Sequence, residues 1–168
     1  VLAVGASTGG PNVLETIFSD LPANYPIPIV CAQHIGNEFL DNFVNWLNAL
    51  CHLNVCAALD GGYPSPGNIY FPKKKHQLEI DQRGRFRHIP EKKEDLNCPS
   101  VNTLLLSVAK YYGSSCGGVL LTGIGSDGAK GMAEIVKNGG MTIAQSEATC
   151  TVYGMPKEAV ALAKIQHI

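Results

Sequence analysis

The sequence predicts an α/β fold built on a doubly wound, mainly parallel sheet in a Rossmann-like three-layer arrangement, with a β-hairpin insertion. Three observations lead there. Short apolar runs alternate with segments of helical periodicity, which is the pattern of repeated strand–helix units. Residues 27–33 are almost wholly apolar, as a strand covered on both faces should be. The first such run, Val1 to Val4, leads directly into the glycine-rich turn Gly5-Ala6-Ser7-Thr8-Gly9-Gly10 and then into a helical pattern.

Taken in order, residues 1–6 read as a strand, and residues 11–21 carry Val13, Leu14, Ile17, Phe18 and Leu21 at helical spacing. Pro11 suits the first helical position, which makes Gly10 the expected N-cap and leaves Ser7 upstream of it. After the strand at 27–33, residues 38–51 give the strongest helix, with Phe39, Leu40, Phe43, Val44, Leu47 and Leu50 along one face. Residues 53–59 read as a third strand. The middle changes character: residues 60–67 are rich in Gly and Pro, and short strands follow at 68–71, 77–80 and 85–89. The last two are joined as a hairpin across Asp81-Gln82-Arg83-Gly84. Pro99-Ser100 then caps a helix whose inward face is Val101, Leu104, Leu105, Val108 and Tyr112. A strand at 118–122, a glycine-rich loop, a helix at 129–138, a strand at 141–145 and a short helix begun by Pro156 complete the chain.

Composition bounds the function. With 168 residues, 45% of them hydrophobic and 16% charged, the chain has ordinary globular character and enough length for a sizeable core. A net charge of -1 gives no electrostatic case for nucleic acid as a partner. Lys73-Lys74-Lys75 and Lys92-Lys93 fall in turn-rich stretches and read as solvated loop charge. No run of about 18 apolar residues is available to span a bilayer and no charged-then-apolar signal segment opens the chain, so membrane insertion is not expected and a cytoplasmic setting is. The six cysteines contain no C-x-x-C pair and read as mostly buried, reduced thiols. Neither a metal nor a cofactor is implied. A strand at residue 1 with no leading methionine suggests one domain, 1–168, taken from a longer protein.

The chemistry gathers at strand ends. Gly5-Ala6-Ser7-Thr8-Gly9 has the G-x-S-x-G spelling in which small neighbours let a tight strand-to-helix turn expose a serine hydroxyl. The same turn is also compatible with a structural or a phosphate-binding role. In an open α/β sheet, ligands bind beyond the carboxyl ends of the strands. The second strand ends at Gln33-His34 and the strand after the insertion runs into Leu121-Thr122-Gly123-Ile124-Gly125-Ser126-Asp127-Gly128. His34 and Asp127 thereby share an edge with Ser7, the set required by a nucleophile, a base and a carboxylate that orients the base. Taken singly, His34 reads as an ordinary polar strand end and Asp127 as a cap on the helix at 129. The order Ser…His…Asp differs from the Ser…Asp/Glu…His order of the α/β-hydrolases that use the same elbow.

Five blocks together carry a resemblance: Gly5-Ala6-Ser7-Thr8-Gly9-Gly10; Gln33-His34; Pro99-Ser100-Val101; Leu121 through Gly128; and Gln145-Ser146-Glu147-Ala148-Thr149-Cys150-Thr151-Val152-Tyr153-Gly154-Met155-Pro156. In order and spacing they resemble the CheB-type catalytic domain, the protein-glutamate methylesterase of bacterial chemotaxis. The resemblance implies hydrolysis of glutamate methyl esters on chemoreceptor cytoplasmic helices, often with deamidation of receptor glutamines. It also implies an upstream receiver domain, phosphorylated by a histidine kinase, that covers the active site until phosphorylated. Carried onto this sequence, Ser7 is the nucleophile, His34 the general base and Asp127 the orienting carboxylate. Thr8 and Ile124 fall where the family shapes the catalytic centre, with an oxyanion role for the Ile124 N–H. Ile35 and Ile124 replace methionines common in the family, and Asn97, Cys98 and Asn102 depart from a basic stretch before Pro-Ser and an acid after it. Those departures bear on which methylated protein is recognised.

A second resemblance, to short-chain dehydrogenases, rests on the same Gly-Ala-Ser turn and on Tyr153 and Lys157 at Tyr-x-x-x-Lys spacing. Gly154-Met155-Pro156 breaks the helix such a pair requires, and no acid closes the second strand to hold a ribose. A non-catalytic methylesterase-like sensor is the remaining alternative.

Overall fold

The first strand, β1 (Leu2–Ala6), is buried from Ala3 through Ala6, which is why it reads as an unbroken apolar run with no alternation. The computed structural model describes residues 1–168. Along the chain follow α1 (Gly10–Ser19), β2 (Ile29–Gln33), α2 (Leu40–Leu50), β3 (Asn54–Ala57), β4 (Asn68–Phe71), β5 (His76–Ile80), β6 (Phe86–Pro90), α3 (Val101–Tyr112), β7 (Gly117–Leu120), α4 (Ala129–Lys137), β8 (Met141–Ala144) and α5 (Met155–Leu162). Six strands pair in the order β3-β4-β2-β1-β7-β8, every pair parallel, while β5 and β6 form a separate antiparallel hairpin. The doubly wound sheet with its hairpin insertion is the architecture read from the sequence.

Because successive strand residues point to opposite faces, the sheet divides the core in two. Ala3, Val30 and Ala32 pack under α3, α4 and α5 with Leu104, Leu105 and Met132. Val4, Ile29 and Cys31 pack under α1 and α2 with Leu14, Phe18 and Leu47. The chain starts near the middle of the sheet, passes through β2 to the edge strand β3, comes back to fill the gap with β4, then crosses to β7 and β8 on the other side of β1. The strand order therefore reverses around β1, which places a crevice beyond its carboxyl end.

The structure refines several sequence expectations. Gly9, not Gly10, is the N-cap of α1, with φ 81 in the left-handed region, and Pro11 falls within the first turn. A side chain at Gly9 would meet Thr151, so glycine answers both the backbone conformation and the close approach. The third strand is shorter than residues 53–59, and Leu59 is 74% exposed beyond its end. The 68–71 run, which follows the Gly- and Pro-rich stretch, inserts into the main sheet between β2 and β3. The cysteines are all free, but only Cys31 and Cys116 are buried and the other four are half-buried. No helix is long and apolar enough to cross a membrane.

Candidate active site

Ser7 follows β1 directly, and three bonds hold its backbone. Its N–H donates to the Thr122 carbonyl at 2.9 Å, while its carbonyl accepts from the Gly10 N–H at 2.8 Å and from Gln33 Nε2 at 2.9 Å. Ala6 pairs with Gln33 in the β1–β2 register, and the His34 N–H continues the ladder by donating to the Ala6 carbonyl at 3.0 Å. Ser7 and His34 are thereby register partners just past two neighbouring strands, whose separation is about 4.8 Å. On the other side of β1, Gly123 in the loop after β7 approaches so closely that an added Cβ would lie 2.6 Å from the Ser7 Cβ. Glycine at 123 is what lets this loop reach the serine.

Asp127 sits farther along the same loop with an 8% exposed side chain, and its carboxylate is fully engaged. Oδ2 accepts from His34 Nε2 at 2.7 Å and from the Val101 N–H at 2.8 Å. Oδ1 accepts from the Asn102 N–H at 2.8 Å and from the Ser100 hydroxyl at 3.1 Å. Asp127 thus does cap a helix, but the helix is α3. The cap of α4, the nearer helix in sequence, is Gly128. Burial alone would raise the Asp127 pKa, yet the His34 hydrogen bond and the amides of Asn102 and Val101 outweigh it and hold the carboxyl below its ordinary value. The positive end of α3 favours the same charged form.

With Nε2–H committed to Asp127, the free nitrogen of the imidazole is Nδ1. The Ser7 hydroxyl makes no hydrogen bond within the protein, so His34 is joined to Asp127 alone. A nucleophile–base contact of this kind commonly tightens only in the substrate complex. Thr8 is exposed and Ile124 is 66% exposed. The main-chain N–H groups of Thr8, Gly9 and Ile124 donate to no backbone carbonyl. Burial pushes all six thiols up, Cys98 to about 11, so none is poised as a thiolate nucleophile. No three His, Cys, Asp or Glu side chains come together as ligands for a metal ion.

The family model described as CheB methylesterase matches residues 2–168. The chain belongs to the CheB methylesterase family. It is 42% identical over 160 residues to protein-glutamate methylesterase/protein-glutamine glutaminase 3 of Myxococcus xanthus, covering 95% of this chain and 44% of that protein. A second relative, protein-glutamate methylesterase/protein-glutamine glutaminase 3 of Geobacter sulfurreducens, is 40% identical over 171 residues, 100% of this chain and 46% of that protein. The chain spans a little under half the length of these curated relatives. The crystal structure of the Thermotoga maritima CheB methylesterase catalytic domain superposes with a TM-score of 0.91 at 34% identity, over 99% of this chain and 89% of that one.

Within this methylesterase fold, the dehydrogenase pair is not formed: Tyr153 lies in a loop bridged to Gly123, and Lys157 is on α5, which begins at Met155. Of the departures from the family pattern, Asn102 has a side-chain role, while Asn97 takes part through its main chain. The Asn102 side chain accepts from the Gly131 N–H at 2.9 Å, tying α3 to α4. The Asn97 carbonyl accepts from Gln77 Nε2 at 2.7 Å while Gln77 Oε1 accepts from the Ser100 N–H at 2.6 Å, so a buried glutamine from the hairpin shapes the turn that presents Ser100 to Asp127. A groove of about 640 Å³ opens beside Asp127, lined by Asn97, Asn102, Lys130 and Glu158 among others. Sequence reasoning did not single out Gln77. Ser100 was expected as the cap of α3, and its side chain does accept from the Thr103 N–H at 3.3 Å; its bond to Asp127 was not foreseen.

Proposed function

We propose that residues 1–168 are the catalytic domain of a protein-glutamate methylesterase, a serine hydrolase in which Ser7 is the nucleophile, His34 the base and Asp127 the carboxylate that orients it. The observation that carries this reading is the 2.7 Å His34 Nε2–Asp127 Oδ2 bond formed beside Ser7, at the strand edge where ligands of such sheets bind. Family membership and the names of the relatives support the same activity.

The chemistry follows from the tautomer. Ser7 Oγ attacks the side-chain ester carbonyl while His34 Nδ1 accepts its proton, and Asp127 stabilises the resulting imidazolium through Nε2. The tetrahedral oxyanion is held by main-chain N–H groups at Thr8 and Ile124, which have no other backbone partner. His34 returns the proton to the departing methoxide, releasing methanol and leaving an acyl-serine. A water molecule, deprotonated by Nδ1, then attacks the acyl carbonyl, and the proton passes to Ser7 as the glutamate carboxylate leaves. A glutamine side chain would follow the same route with ammonia as the leaving group. The reaction calls on no cofactor and no metal.

The substrate in this reading is a methylated helix of a chemoreceptor cytoplasmic domain, with the reaction in the cytoplasm. An upstream receiver domain, phosphorylated by its histidine kinase, would control access. The relatives' additional length leaves room for such a domain. The test compares methanol release from a methylated chemoreceptor signalling domain, free γ-methyl glutamate and a p-nitrophenyl ester. A strong preference for the folded receptor is expected, because binding energy from the surrounding helix orients the ester. Equal rates on all three would mean that no protein surface is read.

A further inference from the structure

Gln33 is the last residue of β2 and is 1% exposed. Its carboxamide nitrogen donates both of its hydrogens to the main chain of the site, to the Ser7 carbonyl at 2.9 Å and to the His34 carbonyl at 2.8 Å. The other end of the group is unsatisfied: Gln33 Oε1 is buried with no hydrogen-bond partner, and an added Cβ on Gly10 would collide with it. An unpaired buried carbonyl lowers stability, and an apolar side chain of the same length would not carry that cost. The orphaned oxygen offsets part of what the two amide bonds contribute, so stability alone does not explain a glutamine here. Its nitrogen, which reaches two separate catalytic segments at once, does.

The two carbonyls depend on Gln33 unequally. The Ser7 carbonyl also accepts from the Gly10 N–H at 2.8 Å, so it stays anchored without the glutamine. The His34 carbonyl has Gln33 as its only protein donor. Removing the carboxamide frees the peptide after His34 while leaving the serine turn in place, which lets the imidazole drift relative to Oγ.

We propose that Gln33 is a positioning residue that ties the peptide after His34 to the serine turn, fixing the base against the nucleophile. The inference rests on the roles given above to Ser7 and His34. It acts through the main chain, so it should alter the rate of serine activation and leave substrate binding alone.

The test uses Gln33→Met and, as a second shape, Gln33→Leu. Three readouts are taken: phosphonylation by a fluorophosphonate, with the labelled residue located by mass spectrometry; kcat and KM on p-nitrophenyl acetate; and thermal unfolding. Phosphonylation rate and kcat are expected to fall about 10²-fold, the scale of a small misplacement of reacting groups, with KM within about twofold. The Tm should change by less than about 5 °C, because losing the two donated bonds and losing the orphaned oxygen act in opposite directions. Wild-type rates in Gln33→Met, with label on Ser7, would overturn the positioning role while leaving the nucleophile assignment intact. A Tm loss of about 5 °C or more in both variants, or failure of both to fold, would make Gln33 a structural residue and overturn it equally. Label on a residue other than Ser7 in the wild type would instead refute the catalytic assignment, and this inference with it.

Discussion

Asp127 Oδ2 accepts the His34 Nε2–H at 2.7 Å while the same carboxylate takes the first two amides of α3, those of Val101 and Asn102, each at 2.8 Å. One side chain therefore fixes the His34 imidazole and caps a helix, so that in the proposed mechanism it also orients the base. Local stability and catalytic geometry are coupled at this residue, whereas at Ser7 they are separate.

Asp127→Asn is expected to lose both. The carboxylate serves four donors on two oxygens, and a carboxamide keeps one acceptor oxygen. If the new NH₂ takes the place of Oδ2, it faces His34 and the Val101 N–H together, so the proton must move to Nδ1 and the base is lost, for a rate loss of about 10³–10⁴, while one amide of α3 loses its partner. If it faces Ser100 and Asn102, the cap of α3 is broken. Stability should fall by about 1–3 kcal/mol, read from denaturant unfolding. Activity lost with no change in stability would contradict the double role.

Ser7→Ala should behave in the opposite way. The hydroxyl makes no hydrogen bond in the protein, so the Tm should stay within about 2 °C of wild type. Methanol release should drop by about 10⁴-fold or more. Retained turnover would move the nucleophile elsewhere.

Acid should expose the Asp127 coupling. Its carboxyl is held below the ordinary value, so the unfolded chain binds this proton more readily than the folded one. The stability it contributes is fully present above the unfolded carboxyl pKa of about 3.9 and is lost as pH falls through the lower folded value. The stability gap between wild type and Asp127→Asn should therefore shrink as pH drops below about 4. A gap that widened in acid would reverse the sign.

Gly123→Ala should damage the site by packing. The new Cβ would lie 2.6 Å from the Ser7 Cβ and would also strike the Met155 sulfur. Met155 has rotamers with which to yield, but the serine turn, held by two main-chain bonds and one from Gln33 Nε2, can relieve the overlap only by shifting Ser7, so turnover falls by about 10²-fold. A wild-type rate with a folded protein would show that the loop adjusts instead.

The sequence by itself determined what local pattern encodes. Apolar runs and helical spacing marked most elements to within a few residues, and the Asp81–Gly84 turn marked the hairpin. The glycine-flanked Ser7 and the strand ends at His34 and Asp127 identified the edge on which to look. Tertiary structure decided what depends on partners distant in sequence. Asn68–Phe71 has the composition of a strand, but nothing in its own residues says that it pairs with β2 on one side and β3 on the other. Gly9 and not Gly10 is the cap, and the lack of space for a side chain there comes from Thr151 in a remote loop. Asp127 lies two residues before α4 yet caps α3, because its carboxylate meets amides that only the folded sheet brings near. Gln33 stood in the sequence as a neighbour of His34, and its bond to the Ser7 carbonyl spans 26 residues. Backbone propensity is a short-range property and is legible in a single sequence, whereas a hydrogen bond between distant segments exists only after strand order and register have been set.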